Sequence, residues 1–364
     1  MKWLVAPNAF KGTIEADRAA ALIEKAILDG DASHQVELCP IADGGDGTCH
    51  LLSDILGMER VVLQACGPLG RPIEGFFGFE ANSKTAFVDV STVSGIKWLH
   101  ARERDPWTAS SYGTGELILR AVDLGATEVV LGLGGSATVD LGTGILRALG
   151  FLFLDENGRE IPVFSPGFLS KIAHIQQTRP WSDLKFTILC DVDNTYFGER
   201  GAIPVFGPQK GLKLEDFPAF EEASRSLVHL FGRKSNREVE DKPGFGAAGG
   251  IALGLSPFFE TNLVSGARYF FDKVHMADRI GRADRIVTGE GRYDSQSDQG
   301  KGSHELLKLA KEAGKEIWLV TSGTDATNSG FDRVLQLPDL DFSAHDLAAR
   351  AEQNLVTTLK QAIT

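Results

Sequence analysis

The chain has 364 residues, 43% hydrophobic and 24% charged, enough apolar side chain for a real core and a length suggesting roughly two domains. Lys and Arg number 37 against 49 Asp and Glu, a net charge of −12 without any basic run, which argues against nucleic acid or an anionic membrane as partner. No apolar run approaches the ~20 residues of a membrane helix, the first residues turn polar too soon for a signal peptide, and four cysteines without a CxxC pair read as free thiols of a reducing, cytoplasmic compartment.

Lys2 to Ala6 reads as a strand, followed by the loop Pro7 to Gly12, with Thr13 as N-cap of a helix whose apolar face is Ala19, Leu22, Ile23, Ala26 and Ile27. Val36 to Cys39 is a second strand, and Ala42-Asp43-Gly44-Gly45-Asp46-Gly47-Thr48 opens the next helix. The same alternation returns at the far end: a strand at Arg285 to Val287, a tight loop at Thr288 to Gly291, a helix from Ser303 to Ala313, strands at Ile317 to Val320 and Val334 to Leu337, and a last helix with the stripe Leu347, Ala351, Leu355, Leu359 and Ile363. Two strands from the start and three from the end predict one five-stranded parallel sheet, hence an α/β class and a discontinuous domain with a long insertion. In the middle, Phe76 to Phe79 and Thr85 to Val90 predict a hairpin, Val129 to Leu133 a strand, and Leu230 to Lys242 an exposed loop.

Several loops carry candidate chemistry because ligands of open α/β sheets sit beyond the carboxyl ends of strands. Lys11 beside a helix start is an anion site. In Ala42 to Thr48, three glycines allow close backbone approach, and the carboxylates of Asp43 and Asp46 suit a metal ion or a substrate hydroxyl proton. Asp191 and Asp193 follow the strand Phe186 to Leu189, and if that strand continues they share a face as hard oxygen ligands for Mg²⁺. Gln209 and Lys210 sit in a Gly/Pro-bracketed loop. Glu290 lies at a strand end, and Gly300-Lys301 imitates the end of a P-loop without being one, since Gly302 stands where Ser or Thr belongs. Gly132-Leu133-Gly134-Gly135-Ser136-Ala137, followed by a strand at Phe151 to Leu154 and by Asp155, has the outline of a dinucleotide fingerprint, which leaves an NAD-dependent oxidoreductase as an alternative. A non-enzymatic sugar-acid-binding module is a further one. Pro243 to Gly250 reads equally as a backbone cradle or as a close-packing segment.

Taken together and in order, Ala6 to Gly12, Ala42 to Thr48, Ser110 to Leu117, Gly134 to Gly144, Asp191 to Asn194, Gly201 to Gly211, Pro243 to Gly250 and Thr288 to Lys301 resemble the bacterial type-1 glycerate kinase family over nearly the whole chain. The resemblance implies transfer of phosphate from ATP to glycerate, with 2-phosphoglycerate the favoured product, and Mg²⁺ as a cofactor. It also implies a flavodoxin-like domain built from residues 1–70 and 280–364, an inserted α/β domain at 71–279, and an active site in the cleft between them. Asn8-Ala9 depart from the family's Asp-Ser, and Tyr293 and Ser297 from its Leu and Thr.

Phosphoryl transfer asks a protein mainly for positioning and charge stabilisation. On that basis Lys11, Asp43 and Asp191 are the expected catalytic residues, with Asp191 and Asp193 holding Mg²⁺ and Asp43 orienting or deprotonating the glycerate hydroxyl. Gly134, Gly135, Ser136, Lys210, Glu290 and Lys301 are expected at the nucleotide, and Arg292 at the glycerate carboxylate, which a guanidinium suits. The partner is the small-molecule substrate, and the sequence leaves room for a homo-oligomer.

Overall fold

The computed structural model describes every residue except Lys11, Asp43, Ser182, 294–301, 324, 325, 327, 328 and Thr364. Its strands, in chain order among the described residues, are β1 (Lys2–Val5), β2 (Gln35–Leu38), β3 (Glu59–Cys66), β4 (Pro72–Glu80), β5 (Thr85–Asp89), β6 (Glu128–Gly132), β7 (Phe151–Leu154), β8 (His174–Gln177), β9 (Lys185–Leu189), β10 (Glu260–Val264), β11 (Arg285–Arg292), β12 (Glu316–Ser322) and β13 (Arg333–Leu337). The chain divides into two compact units, Met1–Asp43 with Ser265–Thr364, and Gly44–Val264. The first unit is thus discontinuous, with its boundaries near 43 and 265 where the sequence suggested 70 and 280. The reason lies in strand pairing, since both β3 and β10 belong to the sheet of the second unit.

In the first unit the sheet order is β13-β12-β11-β1-β2, and every neighbouring pair is parallel. Counted within the unit this is 2-1-3-4-5, the flavodoxin-like order, whose switch point lies between β1 and β11. Trp3, Leu4 and Val5, like Ile317 to Val320, are buried on both faces, as expected of a parallel sheet covered on both sides. Helix Ala16–Gly30 buries Ala19, Leu22, Ile23, Ala26 and Ile27, and helix Leu347–Ile363 buries Ala351, Leu355 and Leu359, in one core with Trp3 and Trp318. Those two indoles meet edge to face with centroids 5.3 Å apart. Thr13 does not cap the first helix: its hydroxyl donates to the Phe10 carbonyl at 2.8 Å, and Glu15 takes the N-cap position.

The second unit carries a mixed six-stranded sheet, β10-β9-β6-β5-β4-β3, and the ribbon β7-β8. β10, β9, β6 and β5 run parallel, while β4 lies antiparallel between β5 and β3, so the predicted hairpin is β4–β5. The parallel strands end together, with Asp89 paired to Gly132 and Gly132 to Leu189, so the loops that follow them emerge along one edge. Residues 230–235, expected in a loop, complete the helix Phe217–Ser235, which stops at Asn236 in the left-handed conformation (φ 54°).

Candidate active site

At the carboxyl edge of β5 and β6 the two glycine stretches that looked separate in sequence form one structure. The Gly134 amide donates to the Gly44 carbonyl at 3.3 Å, and a Cβ built on Gly134 would stand 2.3 Å from the Gly45 carbonyl carbon, so only glycine fits. The segment after β5 closes the other side: the Ile96 amide donates to the Gly135 carbonyl at 2.8 Å, and the Ala137 amide to the Ser94 carbonyl at 2.9 Å. Asp46 sits within this arrangement. One of its carboxylate oxygens accepts from the Ser91 hydroxyl in a short hydrogen bond and from Lys97 Nζ at 3.4 Å. Asp46 and Lys97 are each about half exposed, at 48% and 51%, so both reach solvent and can reach a ligand.

Two buried ionisable groups lie beneath these loops. Asp89, 4% exposed, accepts from the Cys49 amide at 3.0 Å and the His50 amide at 3.2 Å, the first free N–H groups of helix Thr48–Ile55. It holds in place the helix that the 44–47 loop enters. Burial pushes its carboxyl up to about 7 in spite of these donors. Lys210, also 4% exposed, donates from Nζ to Ser136 Oγ at 2.7 Å and to the Thr138 carbonyl at 2.8 Å. Burial pushes its ammonium down to about 7, and nearby Asp140 opposes that shift. Lys210 is thus buried and bonded to the glycine loop rather than exposed on its own loop.

Asp140, in the same glycine-rich stretch, is fully buried. It accepts from the Ser111 amide and hydroxyl at 2.9 and 2.8 Å and from the Gly142 and Gly144 amides at 3.2 Å. It pins the start of helix Tyr112–Asp123 to that of helix Thr143–Ala148 and is a structural acceptor. Pro243 to Gly250 resolves as close packing: a Cβ on Gly249 would stand 2.1 Å from the Thr138 carbonyl oxygen.

The dinucleotide reading fails on topology. Such a site needs the strand after the glycine loop to lie parallel beside the one before it. The strands beside β6 are β5 and β9, whereas β7 pairs antiparallel with β8 in its own ribbon. Asp155, the expected ribose ligand, accepts from the Asn157 and Arg159 amides at 2.9 Å and makes a turn.

Asp191 and Asp193 also differ from expectation. β9 ends at Leu189, so the alternation that would put both carboxylates on one strand face does not persist. They lie in the loop beyond the carboxyl end of β9, Asp191 half-buried and Asp193 exposed. Among the described residues no group of three or more His, Cys, Asp or Glu side chains forms a ready-made metal cage. An Mg²⁺ ion that arrives on nucleotide phosphates needs only one or two carboxylates, and this loop supplies that donor set.

In the first unit, β11 does not give way to a tight loop after Val287 but continues to Arg292. Between Gly289 and Arg292 it advances three residues while β12 advances two, from Val320 to Ser322. The extra residue makes a β-bulge at Glu290-Gly291, a device that re-aims side chains at strand ends. Glu290 is buried and Arg292 exposed. The bulge lies beside the switch point, where the Asn8 amide donates to the Gly289 carbonyl at 2.8 Å and Asn8 Oδ1 accepts from the Ala9 amide. Tyr293 is buried, and its hydroxyl pairs with His304 Nδ1 at 2.8 Å. Lys11, Asp43 and Lys301 lie outside the described residues.

Sequence reasoning passed over Ser91, Lys97 and Asp89. The run Asp89-Val90-Ser91-Thr92-Val93-Ser94-Gly95, small and polar directly after a strand, is the signal that points to them.

The model of the glycerate kinase family matches residues 3–364. The chain is 33% identical to a glycerate kinase of Halalkalibacterium halodurans, over 97% of this chain and 96% of that protein. It is also 33% identical to a glycerate 2-kinase of Escherichia coli K12, over 99% and 98% of the two chains. A crystal structure described as a candidate glycerate kinase 2 from Salmonella typhimurium LT2 superposes with a TM-score of 0.84 at 32% identity, covering 100% of this chain and 97% of that one. The chain belongs to the glycerate kinase family and is an enzyme.

Proposed function

We propose, with that family membership as the premise, that the protein transfers the γ-phosphoryl group of ATP to the 2-hydroxyl of D-glycerate, giving 2-phosphoglycerate and ADP. The observation that supports this reading is the joined pair of glycine loops, 44–47 and 132–138, with Asp46, Lys97, Ser136 and Lys210 gathered on them. An acidic chain that handles two anions needs such a local site. Its backbone amides and cations must overcome the net charge of −12.

In this reading the amides of Gly135 and Ser136 take phosphate oxygens, and Gly134, whose amide is bonded to the Gly44 carbonyl, sets how closely the ligand approaches. Ser136 Oγ accepts from Lys210, which directs its own hydroxyl hydrogen outward as a donor. Lys97 exchanges its bond to Asp46 for a ligand anion, and Asp46 remains anchored by Ser91. Mg²⁺, bound with the nucleotide, would be held by Asp191 and Asp193 and would neutralise phosphate charge. Asp43 takes the glycerate hydroxyl proton, Arg292 pairs with the glycerate carboxylate, and Lys11, Glu290 and Lys301 complete the charge balance at the phosphates. The cytoplasm is the proposed compartment, in keeping with four free cysteines.

The test is ADP release, coupled to NADH oxidation, from purified protein with D-glycerate, ATP and Mg²⁺. Turnover that requires all three supports the reading. Folded protein without turnover above background refutes it.

A further inference from the structure

We propose that Lys210 is a positioning residue that sets the 134–138 loop for its anionic ligand through Ser136 and Thr138, and that it takes up a proton when the anion binds. The inference rests on the proposed role of that loop and deepens it.

Lys210 is the last residue of a turn, Pro208–Lys210, that ends on Gly211 in the left-handed region (φ 98°). A Cβ on Gly211 would strike the Arg104 carbonyl oxygen at 2.1 Å, and Arg104 Nη1 donates to the Gln209 carbonyl at 3.1 Å. The turn is thereby fixed, and it delivers the Nζ to two atoms of one loop, Ser136 Oγ and the Thr138 carbonyl oxygen. Both acceptors are neutral. The charged groups that face this position are Asp140, on the loop it bonds, and Arg104, on the segment packed against its turn. Asp140 is already engaged with four donors from the 111 and 142–144 segments.

Burial among neutral acceptors pushes this ammonium down to about 7, far below the usual lysine range. A phosphate anion on the same loop favours the charged form. Binding near neutral pH therefore draws proton from solvent onto Lys210. The sign separates this group from the nucleotide. A terminal phosphate, with a second pKa of about 6, loses protons when it enters a cationic site, whereas the lysine gains them.

The experiment is calorimetric titration of ATP with Mg²⁺ into full-length wild type, Lys210→Met and Ser136→Ala, in two buffers of different ionisation enthalpy at pH 7.0 and 8.5. Wild type is expected to show proton uptake at pH 7.0. Lys210→Met is expected to show none and to bind ATP with Mg²⁺ about tenfold more weakly, and in steady-state assays to raise KM for ATP with kcat changed less. Ser136→Ala is expected to keep the uptake and lose affinity. If Lys210→Met does not fold, the sign in wild type and Ser136→Ala decides. Net release or no exchange in wild type overturns the proposal even if glycerate is phosphorylated, and absence of nucleotide binding overturns both it and the function on which it rests.

Discussion

Gly134 and Gly45 approach so closely that a single methyl group on Gly134 would overlap the Gly45 carbonyl carbon at 2.3 Å. Two loops 89 residues apart in sequence thus share one wall of the site. Gly134→Ala must push them apart, at an overpacking cost of about 1–3 kcal/mol. It is expected to lower the melting temperature by several degrees and kcat/KM for ATP by about a hundredfold or more. A variant with wild-type kinetics would show that the contact has no part in the site.

Lys97 and Asp46 form a half-exposed pair at 3.4 Å, the kind of ion pair worth about 0–1 kcal/mol. Lys97→Met is therefore expected to leave the melting temperature within about two degrees of wild type while raising the KM of an anionic substrate roughly tenfold. Steady-state kinetics against ATP and glycerate separately will show which anion Lys97 meets. Unchanged KM for both would remove it from the site.

Asp89 and Lys210 give pH dependences of opposite sign. The Asp89 carboxyl is raised in the folded state to about 7, so its favourable contribution is complete at acid pH and is lost as pH rises through 7. Asp89→Asn keeps an acceptor for the Cys49 and His50 amides without the charge. It is expected to gain stability over wild type progressively from pH 5 to pH 8, by on the order of 2 kcal/mol. The Lys210 ammonium is lowered to about 7, so the unfolded chain holds the extra proton above pH 7, and its share of stability grows from there toward its unfolded value of 10.5. Denaturant unfolding of wild type, Asp89→Asn and Lys210→Met across pH 5 to 9 measures both slopes. Parallel curves for all three would contradict both assignments.

The proposed Mg²⁺ requirement is assigned to the loop after β9. Chelation of Mg²⁺ by EDTA is expected to abolish turnover, and readdition to restore it. Asp191→Asn is expected to shift the Mg²⁺ requirement to at least about tenfold higher concentration, since one of two carboxylates is lost. A variant with an unchanged Mg²⁺ titration would place the ion elsewhere.

The five-stranded parallel sheet was legible because Lys2 to Ala6, Ile317 to Val320 and the stripes of the helices Ala16–Gly30 and Leu347–Ile363 carry strong periodicity. The β4–β5 hairpin was legible for the same reason. The bulge in β11 was not, since Thr288-Gly289-Glu290-Gly291 has the composition of a turn, and pairing with β12 and the bond from Asn8 keep it extended. The glycine loops of the candidate site stand out in the sequence, but their union does not. The Asp46 bonds to Ser91 and Lys97 and the Lys210 bond to Ser136 span 45, 51 and 74 residues, and no local pattern encodes them. The shared strand face expected of Asp191 and Asp193 does not form, because alternation has meaning only on a strand and β9 ends before them.

Phosphorus NMR of protein, D-glycerate, ATP and Mg²⁺ tests the central claim most directly. The account predicts growth of a 2-phosphoglycerate resonance matched to ADP and absent without D-glycerate. ATP left intact by folded protein, or ADP formed with inorganic phosphate alone, would contradict it.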